Sequence, residues 1–169
     1  MSLQLDGTNG VLGNSGAFVA GTAVASTSGT SIDFTNIPSW VKRVSIVLSR
    51  VSTNGTSNML VQIGAGSVTT SGYVSIGQYM DSLTNFTTST AGFVMYHYTA
   101  ASEKNVIMTL MTTGSNNWVS THSGGNTGTN YSNAGGGQIA LGGTLDRVRI
   151  TTVNGTDTFD NGSINILYE

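Results

Sequence analysis

No cysteine occurs anywhere in the chain. That excludes a disulfide framework, a thiolate zinc site and a thiol nucleophile together. Charge is nearly as scarce: Asp, Glu, Lys and Arg make up 8% of the residues, where an ordinary soluble domain carries about a quarter. With six Lys plus Arg and a net charge of -2, there is no basic stripe to displace counterions from a phosphate backbone, so nucleic acid is not an expected partner. No apolar run approaches the ~20 residues of a membrane-spanning helix, and no membrane insertion is expected. The opening residues, Met1 to Asp6, have neither the basic nor the apolar region of a secretory signal. Synthesis in a cytoplasm without ordinary export is the corresponding expectation.

A helical repeat is also missing. Apolar residues recur every second position, the period of a half-buried strand. In "KRVSIVLSRV", Val44, Ile46 and Leu48 share a face; in "NMLVQIG", Met59, Val61 and Ile63 do. "GFVMYHYT" sets Phe93, Met95 and His97 opposite Val94, Tyr96 and Tyr98. "KNVIMTLMT" sets Val106, Met108 and Leu110 opposite Ile107, Thr109 and Met111, more apolar surface than one sheet face needs. Such two-sided strands fit the middle of an oligomer. Asn-Gly pairs at 54–55, 154–155 and 161–162 predict tight turns, the first a hairpin. The single proline, Pro38, falls between two strand-like runs.

What is abundant is Val, Ile and Thr, which suit a pleated surface, together with Ser, Asn and 23 glycines. Length, patterning and turn spacing predict one all-β domain over 17–169, a sandwich of jelly-roll type with roughly ten strands, preceded by an arm or lead-in strand over 1–16.

Two long segments carry a family likeness. "SGTSIDFTNIPSWVKRVSIVLSRVSTNGTSNMLVQIGAGSVTTSGY" (28–73) and "LDRVRITTVNGTDTFDNGSINILYE" (145–169) resemble a module of tailed-bacteriophage tail-fibre and other virion structural proteins, and "WVSTHS" is similar to the same proteins. The resemblance implies a β-rich fold, commonly a homotrimer, at the surface of a phage particle assembled in a bacterial cytoplasm. Its partners would be other virion proteins or a host cell-surface glycan. A capsid decoration protein on the phage head is the second reading, and a glycan-cleaving depolymerase the third.

Catalysis finds little support in the residues. A glycosidase needs two carboxylates across a cleft; Asp157 and Asp160 are close in sequence, but "TDTFDNG" reads as a turn whose Asp side chains cap their own backbone. His97 and His122 are the only histidines and have no metal-ligand spacing. The glycines of "GGGQIALGG" precede a strand, so they fail the test for a phosphate-binding loop. No enzyme activity, metal or cofactor is expected.

Binding residues concentrate in "NNWVSTHSGGNTGTNYSNAGGG". Aromatic faces with amide neighbours suit a sugar ring, and Trp118, His122, Asn126, Asn130, Tyr131 and Asn133 supply both. Alternation puts Trp118 and His122 on one strand face, where Trp118 serves equally as a sheet or subunit contact. Trp40 reads as a core or interface anchor. The run from Ser123 to Gly137 is expected to be a long flexible connection, and the binding expectation rests on its Asn126, Asn130 and Tyr131.

Overall fold

The computed structural model describes residues 4–6, 10–12, 18–80 and 84–169. Among them are sixteen strands and no helix. In chain order they are β1 (Gln4–Asp6), β2 (Gly10–Leu12), β3 (Val19–Ala20), β4 (Val24–Ala25), β5 (Ile32–Thr35), β6 (Arg43–Thr53), β7 (Met59–Ala65) and β8 (Ser67–Val68). Then follow β9 (Val74–Met80), β10 (Thr84–Ser89), β11 (Phe93–Met95), β12 (Glu103–Gly114), β13 (Asn117–Thr127), β14 (Tyr131–Ala140), β15 (Arg147–Thr152) and β16 (Phe159–Tyr168).

Two antiparallel sheets form the body. The larger has the order β10-β9-β14-β13-β12-β6-β16-β3, with β4 also on β16; the smaller has β11-β7-β15-β5, with β8 on β7. The expected arm, residues 1–16, lies largely outside the described residues; its β1 and β2 pair with each other.

The core lies between the sheets. Val44, Ile46 and Leu48 of β6 and Val106, Met108 and Leu110 of β12 point inward from the large sheet. Met59, Val61 and Ile63 of β7 and Val148 and Ile150 of β15 meet them from the small one. The alternation in the sequence is therefore the in–out pattern of each sheet. Strand β7 is buried on both faces. Its outer Gln62 donates to the Ala91 carbonyl at 2.8 Å, so the chain leading into β11 covers it. Trp40 is half-buried, stacked at a tilt on Tyr168 with ring centroids 6.0 Å apart.

Four turn and loop expectations need correcting. Asn54-Gly55 is not a hairpin turn: β6 belongs to the large sheet and β7 to the small, so the chain crosses the sandwich there. Gly55 is required because a Cβ would strike the Asp157 carboxylate of the facing loop. Gly155 has φ 67° but Asn154 is not left-handed, so this pair does not form the two-residue mirror turn. Asn161-Gly162 is a bulge inside β16 facing β6, with Gly162 at φ 90°. Last, Ser123–Gly137 is no flexible connection. It continues β13 and opens β14, joined only by Gly128, Thr129 and Asn130, with Gly128 and Asn130 left-handed. The Asp157–Asp160 turn divides: Asp157 accepts from the Ser57 amide at 2.9 Å, whereas Asp160 is already in β16.

Glycine explains why so polar a stretch is sheet. Gly77 of β9 and Gly135 of β14 are cross-strand partners. A Cβ at Gly77 would stand 2.4 Å from the Val94 carbonyl oxygen. The missing side chains let the β11 backbone lie directly against the large sheet, where Ser75 Oγ accepts from the Val94 amide at 2.9 Å. Gly77 thus makes room for the covering strand, the close-approach role that only a residue without Cβ can fill.

Candidate functional site

The β13–β14 hairpin disperses the sequence-predicted site residues along its length. Trp118 is at one end, buried and paired in register with Ile139. It forms the floor of a shallow depression of about 350 Å3 shared with Val74, Val119 and Gln138. His122 is buried in the middle, beside Gly135. Asn126, Tyr131 and Asn133 come together at the far end and are all buried; Asn130, in the hairpin turn, is exposed. Trp118 and His122 therefore share the inward face of β13, as the alternation predicts.

The far end is organised by tyrosines that the sequence reading had not grouped. Tyr79, Tyr96, Tyr98 and Tyr131 pack around Tyr79, with ring centroids 4.6 Å to Tyr96, 5.5 Å to Tyr98 and 4.8 Å to Tyr131. Tyr98 also meets Tyr131 edge-on, at 6.2 Å and 83°. Three of the four are buried or half-buried; Tyr98 is 57% exposed. Its backbone is held from below by the Tyr131 hydroxyl, which accepts from the Tyr98 amide at 3.3 Å. That hydroxyl also bonds Ser102 Oγ at 2.7 Å, and Asn126 Nδ2 donates to Ser102 Oγ at 2.6 Å. Asn85 Nδ2 donates to the Tyr79 hydroxyl at 2.8 Å. Period-two alternation does put Tyr96 and Tyr98 on one side of "FVMYHYT". The strand stops at Met95, however, and the segment after it bends over the end of the large sheet.

Behind the tyrosines lies a buried polar layer. Lys104, the cross-strand partner of Asn126, is fully buried, and its Nζ donates to the Tyr96 carbonyl. Asn133 Nδ2 donates to that same carbonyl at 2.8 Å. Burial pulls the Lys104 ammonium down to about 7. Burial, then the nearby Lys104 charge, lowers His97 to about 4. His122 also falls to about 4, burial first and Lys104 contributing. Both imidazoles are thus neutral at neutral pH. His97 is fixed by its amide, which donates to Asn58 Oδ1 at 2.7 Å, and by a 3.4 Å contact from Nε2 to Thr53 Oγ1. Asn133 lies beside the His122 ring outside hydrogen-bonding geometry, and the Asn126 and Asn133 amide oxygens make no hydrogen bond among the described residues.

Glu103, next to Lys104 on β12, is occupied on the outer side by Arg50, Thr127 and Asn161. No group of three His, Asp or Glu able to hold a metal occurs among the described residues. What the end offers to solvent is one rigid aromatic face, Tyr98, next to a turn carrying Asn130. No family model, curated protein or solved structure matches the chain.

Proposed function

We propose that the chain is a phage virion structural protein of tail-fibre or receptor-binding type. It attaches to a host-surface glycan through the tyrosine end of the sandwich and works as a homotrimer. The observation that carries the reading is Tyr98: an exposed ring packed against two others, Tyr79 and Tyr131, so that a sugar can stack on it with little ordering cost. The uncharged Ser, Thr and Asn surface supplies hydrogen-bonding groups for hydroxyls, and the tail-fibre resemblance of residues 28–73 and 145–169 points the same way. Each site is shallow and weak alone; three on one particle part combine through effective concentration.

The jelly-roll assignment belongs to the same reading. β6 lies beside β16 in one sheet and β7 beside β15 in the other, so early and late strands pair across both sheets. That nesting is what a rolled-up chain produces.

A glycan array of bacterial surface polysaccharides, probed with the wild-type chain and Tyr98→Ala, tests the glycan site. Retention by wild type and loss in the variant is the expected result. Equal signals from both, or none from a trimeric wild type, would leave attachment to another virion protein as the role.

A further inference from the structure

The outer face of the large sheet carries the largest exposed apolar side chains, and the register shows where they fall. Val74, Ile76 and Met80 alternate along β9, with Phe86 beside them on β10; Val74 and Phe86 are 65% and 66% exposed. A second group, Ile107 and Met111 of β12 and Val119 of β13, is about half exposed; Met111 and Val119 are direct partners. Between the groups runs β14, whose outward residues opposite Ile76 and Gln78 are Gly136 and Ala134. Two apolar lobes thus flank a valley of small residues on one sheet face.

We propose that this face is the contact between copies of the chain, turned toward a threefold axis, with the β9–β10 lobe of each copy packed on the β12–β13 lobe of the next. The inference rests on the homotrimer of the proposed function and specifies its interface. Three properties select a second copy as the occupant. The outward positions of β9, β14 and β13 carry no charged side chain, and on β12 the one charged outward residue, Glu103, is at the strand's end. The β9–β10 lobe of one copy, which carries no charge, therefore meets no like charge on the next, and Arg43, the β6 partner of Met111 at the edge of the second lobe, is already paired with Glu169. The seven side chains expose on the order of several hundred Å2 over the two contacts that each copy makes, so each lobe supplies an apolar centre for the ~800 Å2 that a partner contributes to a standard interface. And two different lobes on one face fit a closed ring, in which unlike patches meet at every contact.

Light scattering on the full chain gives the first reading, with three times the chain mass expected. Phe86→Glu and Val119→Glu, both at exposed positions, are expected to give monomers with an unchanged β-sheet circular dichroism spectrum. Val153→Glu, exposed in the bend just after β15 and away from this face, should stay trimeric. Because the chain has no cysteine, Phe86→Cys and Ile107→Cys can be introduced cleanly. The double variant should close into covalent trimers on oxidation, and neither single variant should. A wild-type monomer overturns both this interface and the homotrimer. A trimer that survives both glutamates overturns the face alone, and a covalent product that stops at dimers overturns the threefold, lobe-on-lobe arrangement.

Discussion

Gly135 lies flat against the His122 ring: a Cβ built on Gly135 would stand 2.5 Å from His122 Cε1, and 2.3 Å from the Ile76 carbonyl oxygen. The glycine and the histidine are cross-strand partners on the inner face. One has no side chain so that the other can be buried. Gly135→Ala should therefore destabilise the fold by about 1–3 kcal/mol, the usual cost of overpacking. Gly125→Ala, on the same hairpin with open space at its Cβ, should change stability by less than about 0.5 kcal/mol. Urea unfolding of the two variants beside wild type measures both.

The buried Lys104 sets an alkaline dependence. Its folded value near 7 is below the ordinary 10.5, so between those values the unfolded chain holds the extra proton. Stability should then rise as pH increases from about 7 to 10.5, and the lysine should contribute no slope below 7. Lys104→Met should remove that rise and be more stable than wild type near pH 7, since Asn133 still bonds the Tyr96 carbonyl. Chemical denaturation across the alkaline range checks the slope.

The two histidines act in the acid range with the same sign. Both are held near 4 against an ordinary 6.5; as pH falls from 6.5 to 4 the unfolded state takes up protons that the folded state refuses. Stability should drop through that window, by on the order of 3 kcal/mol for each imidazole at about 1.4 kcal/mol per pH unit. Replacing His122 by Gln should flatten part of the drop, which thermal melts at pH 7, 5.5 and 4.5 (about 1 to 1.5 pH units apart on that scale) would resolve.

Tyr73 ties the two sheets. Its buried hydroxyl accepts from the Ile63 amide at 2.8 Å and lies 3.1 Å from the Thr69 carbonyl, while its ring meets Phe93 edge-on at 5.0 Å. Burial pushes the phenol up to about 12. Tyr73→Phe keeps the ring contact and strips the Ile63 amide of that acceptor, so a loss of about 1–3 kcal/mol is expected by equilibrium unfolding.

Much of the sandwich was legible because one physical rule, alternation at period two, governs it: Val44, Ile46, Leu48, Val106, Met108 and Leu110 are buried as read. The same rule applied to "EKNVIM" places Lys104 on the inward face with Val106 and Met108, although a lysine invites an outward reading. The turns were less legible. Asn-Gly at 54–55 and 161–162 has the local chemistry of a hairpin, but which sheet receives the next strand is decided by packing across the core. The Gly-rich hairpin was misread for a related reason: glycine signals freedom locally, whereas Gly77 and Gly135 are there to admit the β11 backbone and the His122 ring. The candidate site was half visible. Tyr131, Asn126 and Asn133 do meet, but around Tyr79, Tyr96 and Tyr98, which arrive from segments far apart in the chain.

The proposed virion role is tested most directly by an electron-microscopy map of phage particles assembled in cells that express this chain. The account expects three copies of the sandwich at the receptor-binding end of the tail, large sheets toward the axis and the Tyr98 ends outermost. Density for the sandwich on capsomer junctions of the head, or its absence from the particle, would contradict it.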